Sequence, residues 1–206
     1  TGSPVTPGLT TIATGTDPSS TTLAPGASAT MADAFTFQTA TGTDTVTSIT
    51  VSLGTGAAAG LSLVEITDNA GSTVYGSASN PSGDTPTIAL TTSITVTTTA
   101  TPYKIRVTPK SHASMAAPAG ATYTVTALVS GWSGNYAQAG SDTAGATITV
   151  DNASPANVTS ATATAGNSQV SLSWTNPADA DLGSIVVLRR TVSVVTDTPV
   201  EGTTYT

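Results

Sequence analysis

The stretch Thr45-Val46-Thr47-Ser48-Ile49-Thr50-Val51-Ser52-Leu53 decides the fold. Ile49, Val51 and Leu53 fall on every second position in a background of Thr and Ser. Period two sends successive side chains to opposite faces of a strand, so the run has one face in a core and one in water. Val, Ile and Thr are β-branched, which favours a pleated surface over a helix. The same pattern recurs outward from this segment. Phe35 and Phe37 alternate with Thr36 and Gln38, and Leu61, Leu63 and Ile66 follow in GLSLVEIT. Asp68-Asn69-Ala70-Gly71 reads as a turn, with a short strand at Val74-Tyr75 beyond it. Ile88-Ala89-Leu90, Ile94-Thr95-Val96, Tyr103/Ile105/Val107, Tyr123/Val125/Ala127 and Ile148/Val150 complete the series. Seven or eight short strands at near-regular spacing, with no helical period in any window, predict an all-β chain built as an antiparallel β-sandwich over residues 31–152.

Composition points the same way and excludes several functions. Charged residues are 8% of the 206, against about 25% in an ordinary globular protein. The net charge is −7, and Lys104, Arg106, Lys110, Arg189 and Arg190 are the whole basic complement. Nucleic-acid binding needs clustered basic side chains, so no nucleic-acid partner is expected. No apolar run approaches the ~18 residues of a membrane helix, so no membrane span is expected. Cysteine is absent, which removes disulfides and thiolate chemistry. With Thr at position 1 and no leader, a mature or trimmed form is expected. Low charge with abundant Thr, Ser and Gly predicts an extracellular or cell-surface location.

Residues 1–30 are rich in Pro, Gly, Ser and Thr, with Val5, Leu9, Ile12 and Leu23 as the sizeable apolar side chains. The segment reads either as a linker or as an extended donor strand for another subunit. Asp151-Asn152-Ala153-Ser154-Pro155 marks a junction, because proline cannot donate to a ladder and Asx residues make turns. Beyond it, residues 158–163, 169–177 and 182–190 read as three further strands.

The segments QVSLSWTNP, at residues 169–177, and DADLGSIVVLRR, at 179–190, resemble the second and third strands of a fibronectin type III-like module, of the kind strung along large secreted bacterial proteins. Residues 31–152 resemble bacterial immunoglobulin-like modules in general pattern. The first resemblance implies that Trp174 is the buried tryptophan of its strand and that Ile185, Val187 and Arg189 lie on the next one. It covers residues 154–206, about half of the roughly 100 residues such a module needs. Leu172, Trp174, Ile185 and Val187 would then form an incomplete core able to accept a strand, with Val5, Leu9 and Ile12 as the donor face of a second copy. The expected function is a structural subunit of an extracellular filament, joined head-to-tail by strand exchange into a homopolymer. The alternative is an adhesin, carbohydrate-binding or spacer module of a larger secreted bacterial protein. Its partners would be other surface proteins or glycans, with Trp132 and Tyr136 in a Gly-rich loop as the surface contact, unless these two rings fold back as a lid on their own core.

Nothing in the sequence points to catalysis. His112 is the single histidine and has no nucleophile motif near it. Glu65 and Glu201 are the two glutamates, and Asp68, Asp84, Asp142, Asp151, Asp179 and Asp197 read as turn residues rather than paired acids. No cofactor is expected. Calcium is the one metal whose ligands are present, in Asp179-Ala180-Asp181 and Asp151-Asn152. Asn157-Val158-Thr159 and Asn152-Ala153-Ser154 fit a glycosylation pattern, and Lys104 with Glu65 would be the candidates for an internal Lys–Asn cross-link.

Overall fold

A computed structural model describes residues 8–115, 121–179, 182–191, 193–196 and 198. The chain is all β. The strands are β1 (Leu9–Thr14), β2 (Thr21–Leu23), β3 (Thr30–Thr39), β4 (Asp44–Ser52), β5 (Leu61–Asp68), β6 (Val74–Ser79), β7 (Thr87–Val96), β8 (Thr101–Pro109), β9 (Ala121–Val125), β10 (Leu128–Ser133), β11 (Ala137–Ser141), β12 (Ile148–Asn152), β13 (Thr159–Gly166) and β14 (Gln169–Thr175). Two short 3-10 turns, Ala57–Gly60 and His112–Ser114, interrupt them.

Nine strands follow one another in the order β10-β4-β7-β6-β5-β8-β3-β1-β11, and a second sheet runs β2-β12-β9. β3 lies against both β7 and β10, so the nine-stranded sheet folds over on itself. Its inner faces meet in one core. Phe35, Phe37, Ile49, Val51, Leu53, Ile66, Ile88, Ile105 and Ile148 are all at most 1% exposed there. The aromatic centre is a stack of edges and faces: Phe35 meets Phe37 at 5.4 Å and Tyr103 at 5.7 Å between ring centroids. Such offset and T-shaped pairs are the favoured geometries of quadrupolar rings.

Irregularities in the alternation have structural causes. Val46 is out of phase with Ile49, and the β4–β7 register shifts between Val46 and Ser48, so both side chains are buried. The two apolar triplets 88–90 and 94–96 belong to one continuous strand, β7, rather than to two.

The N-terminal segment departs from expectation. β1 is a full member of the large sheet, antiparallel to β3 and parallel to β11, and β2 pairs in parallel with β12. Residue 30 is therefore not a boundary of the body. Parallel pairs carry no mark in the alternation of either strand, because the period is two in both orientations. Gly140, at φ +79°, marks the close approach of β11 to β1, since a Cβ there would drive into the Ile12 carbonyl.

β13 and β14 form a separate antiparallel hairpin in which every position is exposed. Residues 182–190, expected as a third strand, carry no strand pairing. The segment pairs with neither outer edge of the β13–β14 hairpin.

Candidate functional site

The hairpin brings four of the expected residues together. Leu172 and Trp174 on β14 and Ile185 and Val187 from the following segment line one open groove of about 250 Å³, together with Val158 and Ala161. On β14, Val170, Leu172 and Trp174 share one face by period two. They are 61%, 48% and 39% exposed. Ala163 and Ala165 stand opposite Leu172 and Val170 on β13, so nothing bulky covers that stripe from the partner strand. The Trp174 indole N–H donates to Asn176 Oδ1 at 2.8 Å, which restrains the ring at the groove. Trp174 is thus not the buried tryptophan that the fibronectin-like resemblance implies. Its strand lacks a second layer among the described residues, and a hairpin alone cannot bury a large ring.

The donor residues fall elsewhere. Val5 lies outside the described residues. Leu9 opens β1 at 36% exposure, whereas Ile12 is 2% exposed and packed in its own body. Both edges of β1 are taken, by β3 and β11. Within this chain, Leu9 and Ile12 do not form a free donor face.

Trp132 and Tyr136 follow the second of their two readings and fold back on their own body rather than project. Trp132 lies on β10, not in a loop, and its ring meets Phe37 edge-on at 5.3 Å. The Tyr136 ring rests on Gly8, with its hydroxyl close to Gly42. The loop carrying Tyr136 is held by Asp44. That carboxylate, 1% exposed, accepts from Thr10 Oγ1 at 2.6 Å, from the Asn135 N–H at 2.7 Å and from the Thr45 N–H at 2.7 Å. Burial would raise its pKa, but these donors, with the Tyr136 N–H, outweigh burial and hold the carboxyl below its ordinary value.

Other expectations resolve simply. His112 Nδ1 is 2.6 Å from Asn152 Oδ1. Glu65 pairs with Arg106 at 2.8 Å, while Lys104 donates to the Thr16 carbonyl, so the two candidates for a cross-link are not joined. Asp68 and Asp84 act in turns, accepting from the Ser72 N–H and from the Gly56 and Ala58 N–H groups. Asp151 and Asp179 each accept a backbone N–H, from Ala153 and Ala156, and Asp181, Asp197 and Glu201 lie outside the described residues. Asp142 is not an exposed turn residue. It is 8% exposed beyond the end of β11 and accepts from the Val129 N–H at 2.8 Å.

The reading of the sequence missed Asp33, which is fully buried on β3. A signal was present: Asp33 shares the odd-numbered phase of Phe35 and Phe37, the core-facing one. No family model and no curated protein matches the chain.

Proposed function

We propose that the chain is a structural subunit of an extracellular filament, in which the groove of Leu172, Trp174, Ile185 and Val187 receives a second copy. The observation that carries this reading is the exposed apolar stripe of β14 beside a segment that belongs to no sheet. Exposed apolar stripes on two-stranded hairpins are unstable in water and associate, because burying them returns about 25 cal/mol per Å². Strand addition also satisfies open backbone groups and seats alternate side chains in pockets. Since Leu9 and Ile12 are held in β1, the donor on the second copy narrows to the stretch before Gly8 that carries Val5. Cell-surface location and the immunoglobulin- and fibronectin-like kinship belong to the same proposal. They rest on the low charge, the absence of cysteine and the strand pattern.

The test is light scattering and electron microscopy of the purified chain over rising concentration. Concentration-dependent filaments are expected, abolished by the double substitution Leu172→Ser, Trp174→Ser and by deletion of residues 1–7. A chain that stays monomeric at all concentrations would overturn the reading in favour of a spacer or adhesin module.

A further inference from the structure

Asp33 is the most anomalous side chain among the described residues. It is 0% exposed, yet neither carboxylate oxygen has an N–H or hydroxyl donor within hydrogen-bonding distance. It stands opposite Ile105 of β8, on the core-facing side of β3. Gly145 closes over it: a Cβ there would come within 2.8 Å of Asp33 Oδ1 and 2.9 Å of the Ala32 carbonyl oxygen. The side chain that faces Asp33 is a second acid. Asp142, 8% exposed, is hydrogen-bonded to it. Asp142 Oδ2 accepts from the Val129 N–H at 2.8 Å, whereas Oδ1 is buried with no N–H or hydroxyl donor of its own. Ionised carboxylates only accept, so two of them hydrogen-bond to each other only through a proton that one of them carries.

The groups around the pair bring no cation to it. Asp17, on the segment after β1, is a third acid, and its Oδ1 takes the Ala34 N–H at 3.0 Å. On β8, Lys104 and Arg106 flank Ile105 and so point to the other face of the sheet. Lys104 donates to the Thr16 carbonyl, and Arg106 pairs with Glu65. Tyr103, on the core side of β8, is held neutral by burial, its hydroxyl pushed up to about 12. β1, β7 and β10, which also lie against β3, carry no titratable side chain.

We propose that Asp33 and Asp142 share one proton, donated by Asp33 to Asp142 Oδ1, and that this pair is a pH-sensitive latch fastening the segment 142–147 to β3. The Val129 N–H favours the charged form of Asp142, which leaves the proton with Asp33. Residues 142–147 join β11 to β12 without strand pairing. Scattered bonds hold them: the Ala146 N–H to the Ala32 carbonyl at 2.9 Å, the Thr143 N–H to Thr14 Oγ1 at 3.1 Å and the Gly145 N–H to the Ala127 carbonyl at 3.3 Å. Two negative charges beneath Gly145 would have no counter-ion, so full ionisation favours an opened segment in which both acids reach water.

The direction of the response follows. Burial first, then the Asp142 charge, raises the Asp33 carboxyl to about 8 in the closed state, against about 3.9 in water. Burial raises Asp142 as well, opposed by the Val129 N–H and the hydrogen bond from Asp33. Between those two values the closed state keeps a proton that the opened state has lost. Closure therefore weakens about tenfold per pH unit as the pH rises from about 4 to about 8, and levels off above. The latch is tight in acid and slack in mild alkali, whether or not the chain forms filaments.

A carboxyl carbon-13 NMR titration of the whole chain reads the shared proton. One aspartate should still be protonated at about pH 6 and titrate near 8. Asp33→Asn should remove that step and lower the Asp142 inflection towards the ordinary carboxylate range. Amide exchange at Ala146 reads the latch. Corrected for base catalysis, it should quicken about tenfold per pH unit between about pH 5 and 7, and Asp33→Asn should abolish that extra slope. A chain whose aspartates are all ionised by about pH 6 would overturn the shared proton, and that result needs no variant to fold. A protonated pair with Ala146 exchange that follows base catalysis alone would overturn the latch.

Discussion

Phe37 and Trp174 are both large aromatic side chains on strands otherwise built from Thr, Ser and Ala, yet Phe37 is fully buried and Trp174 is 39% exposed. Phe37 has neighbours on every side: Phe35 at 5.4 Å, Tyr103 at 6.1 Å and Trp132 at 5.3 Å between ring centroids. Trp174 has one hairpin beneath it and an unpaired segment beside it. The two regions use the same alternation for opposite ends. In the body the apolar face meets a second layer and yields stability. In the hairpin it meets none within the described chain, and what it offers is association.

The largest effect should come from breaking the body. Phe37→Ala removes a ring from a close-packed centre, and a loss of about 3–5 kcal/mol in urea unfolding is expected. The equivalent truncation of Trp174 should change the stability of the isolated chain by less than about 0.5 kcal/mol, while abolishing association. A large stability loss from Trp174→Ala would mean that the hairpin has a covering layer after all, and the contrast between the regions would fail.

Asp44→Ala comes next. It leaves the Thr10 hydroxyl and the Asn135 and Thr45 N–H groups without their acceptor, for a cost of about 2–4 kcal/mol. It should also loosen the 133–136 loop, read as faster amide exchange at Asn135. Because its folded pKa lies below the unfolded value of about 3.9, its contribution is present above that pH and lost as pH falls through the folded pKa. Asp44→Asn should flatten this acid limb of a stability–pH profile.

Trp132 and Trp174 are the two tryptophans, so fluorescence sharpens the comparison at smaller cost. In a Trp132→Phe chain the remaining Trp174 should be readily quenched by acrylamide when dilute and protected when concentrated. In a Trp174→Phe chain, Trp132 should be protected at both concentrations. Equal quenching of Trp174 at all concentrations would show that the groove stays open.

How much of this could be read from residues follows the same division. Alternation identified β3, β4, β5, β8 and β12, because each has one face in the core and the other mostly Thr, Ser or charged. It was silent on β11, Ala137–Ser141, whose AQAGS sequence has no large apolar residue and whose strand character comes from pairing with β1. It misplaced Trp132, since glycines at 131 and 134 suggest a loop where the β10 register shift absorbs Gly131. The segment 182–190 shows the converse error: strand-like composition that pairs with neither edge of β13–β14. Asp33 escaped because an acidic side chain is read as solvated by default, and its phase with Phe35 and Phe37 was the contrary sign.

The smallest predicted effect concerns a body hairpin that, unlike β13–β14, is closed by charge. Hydrogen bonds from the Ser72 hydroxyl at 2.7 Å and N–H at 2.8 Å lock the β5–β6 turn onto Asp68 and lower its carboxyl to about 2. A carboxyl lowered in the folded state stabilises above the unfolded pKa of about 3.9, and that contribution fades as pH drops through about 2. The Ser72 amide resonance should therefore titrate near pH 2, and Ser72→Ala should move the Asp68 inflection upward towards the ordinary range. The carboxyl lies at the surface, so the global stability should barely register the change. An Asp68 inflection already near 4 in the unsubstituted chain would show that this turn is no better fixed than the C-terminal hairpin. The body would then owe its order to the core alone, and the distinction between the two regions would reduce to the presence or absence of a second layer.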